Sequence, residues 1–415
     1  MPATWTQETQ LPHHPLVISH PMPDAQSVAL GIFVDVGSRD ESPEQAGIAH
    51  ALEHMLFKGT RHLDVHALSE TLDQLGGHTN AFTSRERTCF HTQVLHEDAA
   101  QALDILMDMV LEPALPEDEW KREREVIFSE MGMVEDNPDE WFYDRHIQAV
   151  YAGQQVGKPT LGTRDVLSHL SSQDLRHYLE HNYRPPRLLI AASGNIQHDD
   201  VLAAVQQRTW KPSQSSTQRK PPILQVGKHF FERDMEQVQV VASLPCISAA
   251  SDERPLAWLA NQMLGGGMSS MLFREIRERR GLAYSVSSHL SPLSDAGLWS
   301  VSCDTHPTMV AACIELLQEN MQQFATHIDA PLLARAQRQM EVQFRMGMDS
   351  IEGNMMYLAN RLDEPNLLSQ QQWIEAVKAV KLDEIQAWSQ HYLDADAVWS
   401  VAGNDAALSS AQNVL

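Results

Sequence analysis

The 415-residue chain repeats itself weakly, with a period near half its length. A helical pattern followed by an apolar run ends in Gly-Asn at residues 194–195, and the same succession ends in Gly-Asn at residues 403–404. The two asparagines, Asn195 and Asn404, are 209 positions apart. Self-similarity of this kind indicates an internal duplication. It limits the chain to folds that are built from two related halves.

Each half mixes alternating strand patterns with amphipathic helices. The clearest strand patterns span residues 28–36, 87–95, 237–244 and 298–303. Because strands and helices do not alternate strictly, the sequence favours an α+β class over a doubly wound parallel sheet. The stretch after residue 210 is rich in proline, serine and charge, which is typical of a domain boundary. We predict a first domain at residues 1–210, a linker at 211–225 and a second domain at 226–415.

The first half contains the motif His-x-x-Glu-His at residues 50–54, the inverted form of a zinc-protease helix motif. On a helix, His50 and His54 share one face, so both imidazoles can reach one metal ion. Glu53 projects from nearly the same face and can act on a water instead of the metal. The alternative is a solvated helix face with two histidines. Interleaved apolar residues argue for burial, where polar groups need partners.

The second half keeps this helix without its metal chemistry. At an offset close to that of the Gly-Asn pairs, residues 260–264 align with residues 52–56. The alignment places Asn261 at the position of Glu53 and Gln262 at the position of His54. We therefore predict one metal-binding domain and one related domain without metal ligands.

A catalytic zinc site usually takes three protein ligands. The segment at residues 116–131 begins with proline and acidic residues, as helix N-termini do. Glu123 and Glu130 lie seven positions apart, two turns along one face. We predict that Glu130 is the third ligand and that Glu123 supports a ligand from behind. The alternative is a charged helix with surface Glu–Arg pairs, which we favour for Glu119 and Glu125.

Several segments together resemble the pitrilysin-type inverted zincin peptidases. Residues 47–60 are similar to the active-site helix of that family, and closest to the branch that contains the mitochondrial processing peptidase and its bacterial relatives. Residues 36–41 match the preceding strand end, residues 76–86 match the substrate-binding edge strand, and the 123–130 region matches the third-ligand helix. The resemblance implies two similar domains, each a mainly antiparallel sheet covered by helices, which face one another like a clamshell.

The resemblance also assigns roles in the first half. It implies that His50, His54 and Glu130 bind one Zn²⁺ per subunit, with Glu53 as the general base and Glu123 as the supporting carboxylate. We expect the substrate to lie along the edge at Asn80 and Ala81 as an added strand, because backbone pairing tolerates many sequences.

The second half has a signal of its own at residues 264–286, where a glycine loop, a basic helix and a strand follow one another. No Gly-Lys-Ser/Thr follows the glycines, so this is not a phosphate-binding loop. In the resembling family an arginine, and a tyrosine seven residues later, reach the substrate carbonyl. Arg277 and Tyr284 have that spacing, and Arg280 is the alternative.

Composition narrows the possible partners and location. The formal net charge of −24 opposes binding to nucleic acids and anionic membranes. No apolar run reaches the roughly 18 residues that indicate a membrane-spanning helix. The N-terminus lacks a basic start and an apolar run, and the four cysteines form no Cys-x-x-Cys pair. We expect a protein without membrane or nucleic-acid partners, in the reducing cytoplasm.

We predict a zinc endopeptidase that hydrolyses peptides or unfolded polypeptides inside a chamber enclosed by the two domains, with the second domain clamping the substrate. The alternative function is that of a non-catalytic subunit, or of a catalytic subunit that requires an inactive paralogue. We expect a homodimer, with a heterodimer with such a paralogue as the alternative.

Overall fold

The computed structural model of the chain describes residues 6–212 and 219–415. Residues 213–218, which belong to the predicted linker, lie outside the described residues. The chain divides into two compact units. The first unit comprises Met1–Glu135, Lys158–Arg219 and Met346–Leu367, and the second comprises Asp136–Gly157, Lys220–Arg345 and Leu368–Leu415.

The described strands fall into two sets. The first set is β1 (Gln7–Gln10), β2 (Leu16–Pro21), β3 (Ser27–Val34), β4 (His78–Thr83), β5 (Thr88–Leu95) and β6 (Leu188–Gly194). The second set is β7 (Gly227–Glu232), β8 (Val238–Pro245), β9 (Ala283–Pro292), β10 (Gly297–Thr305) and β11 (Val398–Gly403). The four strand patterns predicted from the sequence correspond to β3, β5, β8 and β10, with ends shifted by at most two residues.

The described α-helices are distributed over both halves of the chain. The first half holds α1 (Ile48–Leu56), α2 (Val65–Gln74), α3 (Ala99–Leu111), α4 (Glu117–Asp136), α5 (Pro138–Val150), α6 (Arg164–His169), α7 (Ser172–Asn182) and α8 (His198–Gln206). The second half holds α9 (Arg254–Gly265), α10 (Val310–His327), α11 (Ala330–Gly347), α12 (Ile351–Leu358), α13 (Gln370–Ala379), α14 (Leu382–Leu393) and α15 (Asp405–Gln412).

Shorter helical segments connect these elements. A π-helical segment spans Phe273–Glu278. Short 3₁₀ segments span Ser38–Asp40, Pro43–Gln45, His96–Asp98, Gln155–Gly157, Pro185–Arg187, Pro307–Met309 and Ala359–Leu362. None of the described helices is both long enough and apolar enough to cross a membrane.

Each unit contains one mainly antiparallel sheet. The first sheet has the strand order β1-β2-β6-β3-β5-β4, and its neighbouring strands are antiparallel except for β2 and β6. The second has the order β7-β11-β8-β10-β9, and only β7 and β11 are parallel. The predicted α+β class with two sheet-and-helix domains is confirmed. The clamshell arrangement stays a prediction.

The central strand β3 shows why both faces of the first sheet are covered by helices. Leu30 and Ile32 point into a core shared with α1, α3, α7 and α8. Ala29 and Phe33 point to the opposite face, where Met355 of α12 packs on the sheet. Because the strand is apolar on both sides, neither face is stable in water.

One face of each sheet is covered by a helix from the other half of the sequence. Helix α12 comes from the second half of the sequence and packs on the first sheet. Helix α5 comes from the first half and packs on the second sheet, where Ile147 and Val150 contact Leu298 and Val398. The structure therefore adds a reciprocal exchange that a single linker between two continuous domains does not describe.

Arg219, the first described residue after the gap, fixes the loop that leads from β3 to α1. Its guanidinium group makes a two-pronged contact with the carboxylate of Asp40, at 2.9 and 2.8 Å. It also donates to Asp35 Oδ1 at 2.8 Å and to the backbone carbonyl of Glu86 at 3.0 Å. The side chain of Asp40 is 3% exposed, so Arg219 is the cation paired with a buried carboxylate.

We predict that Arg219→Ala lowers the free energy of unfolding by about 3–5 kcal/mol, because it leaves the Asp40 carboxylate buried without its cation. Urea denaturation followed by circular dichroism measures the change. The control is Arg122→Ala, which removes the exposed guanidinium group of an i,i+3 pair with Glu119 and is expected to cost less than about 1 kcal/mol. Equal decreases in the free energy of unfolding in the two variants would contradict the conclusion that Arg219 compensates the buried carboxylate of Asp40.

Candidate metal centre

Helix α1 carries the His-x-x-Glu-His motif, and a carboxylate caps its N-terminus. Glu41 accepts hydrogen bonds from the backbone N–H groups of Gly47 at 2.8 Å and Ala49 at 2.9 Å. Gly47 has a φ of 95°, a conformation that glycine adopts without strain. Burial raises the pKa of Glu41 to about 8, although the two backbone hydrogen bonds oppose the shift. The sequence did not reveal this role, because no local spacing links Glu41 to the helix.

The structure brings the three predicted metal ligands together. His50 Nε2 lies 3.2 Å from His54 Nε2, and Glu130 Oε2 lies 3.7 Å from the former and 3.6 Å from the latter. A tetrahedral zinc ion with bonds of about 2.0–2.1 Å holds its ligand atoms about 3.3 Å apart. The donor set, two imidazoles and one carboxylate, is one that catalytic zinc sites use. The residues present therefore fit a zinc ion.

The imidazole of His50 is in the form that binds a metal. It is buried on α1 against the core. Burial, with a smaller effect of the neighbouring His54, lowers the pKa of His50 to about 3. A neutral imidazole offers its lone pair without first losing a proton, so metal binding at His50 does not compete with protonation near neutral pH.

Glu123 orients His54 from behind. His54 Nδ1 donates a hydrogen bond to Glu123 Oε1 at 2.9 Å, and this leaves Nε2 directed at the other two ligands. Lys58 Nζ contacts the second carboxylate oxygen at 2.6 Å. Burial alone would raise the pKa of Glu123, but its bonds to His54 and Lys58 outweigh burial and lower it. The sequence predicted the supporting position of Glu123 and did not reveal the contact with Lys58.

The carboxylates around His54 also shift the pKa of its imidazole. Burial lowers the pKa of His54, but the hydrogen bond to Glu123 and the charges of Glu123, Glu53 and Glu130 outweigh burial and raise it. His54 and His50 thus have opposite shifts on the same helix face.

Glu53 lies on the same helix outside the trio of ligand atoms. Its Oε2 accepts a hydrogen bond from the hydroxyl of Thr83 on β4 at 2.5 Å. Burial raises the pKa of Glu53, although the Thr83 bond and the charge of His54 oppose the shift. The threonine therefore holds one carboxylate oxygen of the predicted base. Thr83 falls within the matched edge-strand segment, but the sequence assigned it no role.

The predicted substrate strand is the terminal strand of the first sheet. Strand β4 pairs only with β5 among the described residues, with Asn80 opposite His91 and Ala81 opposite Phe90. Asn80 is exposed, and Ala81 packs partly on the core. The bond from Thr83 to Glu53 ties this strand to α1. Within the described residues, the outer edge of the first sheet therefore lies next to the helix that carries the predicted metal ligands.

In the second unit, Arg277 and Tyr284 lie side by side. Arg277 belongs to the π-helical segment, where the sequence predicted a regular basic helix. Its guanidinium carbon is 4.8 Å from the ring centre of Phe273 and 5.7 Å from that of Tyr284. Cations over aromatic faces are attracted by the ring quadrupole. Tyr284, near the start of β9, is 73% exposed, and Arg280 lies in the turn between the two.

We predict that Glu123→Ala weakens zinc binding by about 10- to 100-fold, because His54 loses the partner that fixes its orientation. Competition with a chromogenic chelator measures the affinity. The matched control is Glu125→Ala on the exposed face of the same helix, which should leave the affinity unchanged. Equal affinities in the Glu123→Ala protein and in the wild type would refute the role of Glu123.

Two family models match the chain. Residues 16–164 match the model described as insulinase (peptidase family M16), and residues 169–340 match that described as the peptidase M16 inactive domain. The second match contains Asn261 and Gln262, the positions where the motif residues are replaced.

Relatives and solved structures agree with these matches. The chain is 33% identical over 331 residues to an uncharacterized zinc protease of Streptomyces coelicolor, covering 77% of this chain and 72% of the relative. It is 33% identical over 336 residues to an uncharacterized zinc protease of Bacillus subtilis, covering 80% and 82%. The crystal structure of a protease from Helicobacter pylori superimposes with a TM-score of 0.89 at 19% identity, covering 96% of this chain and 99% of that one.

Proposed function

The chain belongs to peptidase family M16, and from this premise we propose that it is a zinc-dependent endopeptidase acting on peptides or unfolded polypeptides. The observation that carries the proposal is the tetrahedral spacing of the ligand atoms of His50, His54 and Glu130 beside the carboxylate of Glu53. Relatives that are named zinc proteases support zinc as the metal. Placement in the branch of the mitochondrial processing peptidase stays a prediction.

In this proposal, the residues of the first unit have separate roles at the scissile bond. When bound, zinc supplies a Lewis acid that acidifies a water molecule and polarises a carbonyl group. Glu53, steadied by Thr83, accepts the proton of the attacking water and passes it to the leaving amine. The free edge at Asn80 and Ala81 pairs with the backbone of the substrate.

The second unit contributes hydrogen-bond donors in this proposal. The guanidinium group of Arg277 and the hydroxyl of Tyr284 bind the carbonyl oxygen as negative charge develops on it. Donors that are fixed in advance stabilise such charge more than water does. The mutual contact of the two side chains and the exposure of Tyr284 support this role.

We predict that Glu53→Gln retains one zinc per subunit and lowers kcat by at least about a hundredfold, because the amide cannot accept the proton. A quenched fluorescent peptide assay and elemental analysis of the same samples measure both quantities. Glu44→Gln, which alters an exposed carboxylate before α1, is the control and should behave as the wild type. His50→Ala should lose both zinc and activity.

Two outcomes would contradict the proposal. Near-normal turnover in zinc-loaded Glu53→Gln would mean that another group is the base. Absence of hydrolysis by the zinc-loaded wild-type chain, over a panel of unfolded polypeptides, would favour the non-catalytic or paralogue-dependent subunit. Light scattering of the same samples tests the proposed homodimer, since a pure monomer with full activity would exclude it.

We predict that Tyr284→Phe and Arg277→Ala each lower kcat by about a hundredfold without changing the zinc content, the usual effect of losing one donor at a developing oxyanion. Arg280→Ala is the matched control, because Arg280 is exposed in the same segment and is the alternative by sequence. If both Tyr284→Phe and Arg277→Ala hydrolyse peptides at wild-type rates, these two side chains of the second unit have no role in catalysis.

A further inference from the structure

Two of the three predicted ligand positions of the metal centre have hydrogen-bonded glutamine counterparts in the second unit. Gln262 on α9 corresponds to His54, and Gln339 on α11 lies 209 positions after Glu130. Gln262 Nε2 donates a hydrogen bond to Gln339 Oε1 at 3.2 Å. In the first unit the corresponding atoms, His54 Nε2 and Glu130 Oε2, are 3.6 Å apart. A direct amide–amide bond thus joins the two helices where a metal would join them in the first unit.

The counterpart of the general base is likewise bonded to an edge strand. Ser288 on β9 donates to Asn261 Oδ1 at 2.7 Å, and Trp299 Nε1 donates to Ser288 Oγ at 2.7 Å. Thr83 on β4 makes the same kind of bond to Glu53 in the first unit. The duplicated helix therefore keeps both of its connections, one to an edge strand and one to a long helix.

Gln262 makes a further contact, with the glycine loop at residues 265–267. Its Nε2 also donates to the carbonyl of Gly266 at 3.3 Å, and the N–H of Gly266 donates to the carbonyl of Gln262 at 3.3 Å. A Cβ atom on Gly266 would lie 2.6 Å from Gln262 Cα, and one on Gly265 would lie 2.5 Å from the backbone nitrogen of Ser288. The loop fits against α9 and β9 only because it has no side chains.

The glycine loop opens the segment that carries Arg277 and Tyr284. The N–H of Ser270 donates to the carbonyl of Gly267 at 2.9 Å, and the N–H of Arg274 donates to that of Ser270 at 3.2 Å. The π-helical segment with Arg277 continues directly from this turn. A displacement of the loop would therefore move the first turns of the segment.

We propose that Gln262 is a positioning residue, which holds the glycine loop through its bonds to Gln339 and Gly266 and so sets the place of Arg277 and Tyr284. The proposal rests on the function proposed above for those two side chains. The residue at the position of His54 thus serves in the second unit as the hydrogen-bond donor that holds the glycine loop.

The decisive experiment is a double-mutant cycle between Gln262→Leu and Tyr284→Phe, with kcat and KM measured on zinc-loaded protein. Leucine matches the size of glutamine and removes the amide. We expect Gln262→Leu to lower kcat about tenfold, equivalent to about 1.4 kcal/mol, with little change in KM. In the Tyr284→Phe background we expect a clearly smaller loss of kcat, because the tyrosine hydroxyl is already absent and only the displacement of Arg277 remains.

The chain provides a matched control and a conservative variant. Gln337 lies on the same helix as Gln339 and donates to the carbonyls of Val377, Lys378 and Val380, away from the glycine loop. Any decrease in kcat caused by Gln337→Leu should be the same factor in the wild-type and Tyr284→Phe backgrounds. Gln339→Glu keeps an acceptor for Gln262 and should retain activity, whereas Gln339→Leu should resemble Gln262→Leu.

A second readout does not depend on catalysis. Hydrogen exchange of the amides at residues 266–284 should accelerate at least about tenfold in Gln262→Leu and stay unchanged in Gln337→Leu. Two results would overturn the proposal. One is unchanged hydrogen exchange in Gln262→Leu, and the other is a loss of kcat from Gln262→Leu that is equally large in the wild-type and Tyr284→Phe backgrounds. If the wild-type chain hydrolyses nothing, the proposed function fails, and the exchange comparison still decides whether Gln262 holds the loop.

Discussion

Burial of α1 is the constraint on which the rest of the candidate metal centre depends. Eight of its nine residues are buried, and they include His50 and Glu53. A buried ionisable group must be neutral or must be compensated by a partner, since an unpaired charge costs several kcal/mol in such a place. His50 stays neutral, His54 pairs with Glu123 on α4, and Glu53 binds Thr83 on β4. The polar face of one short helix thereby fixes a long helix and an edge strand.

The internal duplication gives two solutions to that same constraint. In the second unit, Asn261 and Gln262 are uncharged, so their amides can be satisfied by Ser288, Gln339 and a backbone carbonyl. Amide hydrogen bonds cost little to bury when both partners are present, and they require no metal. Direct hydrogen bonds therefore join α9 to α11 and to β9 at these positions, next to the glycine loop.

The grouping of His50, His54 and Glu130 could be predicted because its signals are local. Two histidines four apart and two glutamates seven apart are spacings that a helix converts into shared faces. The alternation of apolar residues placed four strands to within two residues for the same reason. Glu41, Lys58 and Thr83 could not be assigned, because their partners are set by tertiary packing and no periodicity records them. The π-helical segment at Arg277 was missed too, since a basic amphipathic pattern fits a regular helix equally well.

The sequence also did not predict that α5 and α12 pack on the sheet of the other half. Because of this exchange, the two sequence halves are not two independent domains. Met355 and Leu358 of α12 are fully buried against the first sheet, and burial of each such side chain contributes about 1.5–3 kcal/mol. Residues 1–210 on their own lack α12 and would expose Phe33 and Ile18, whereas residues 226–415 on their own lack α5 and would expose Leu298 and Val398. The sheet that supports the metal helix thus depends for one of its faces on the second half of the sequence. Each half of the sequence thus supplies a helix that completes the core of the unit formed mainly by the other half.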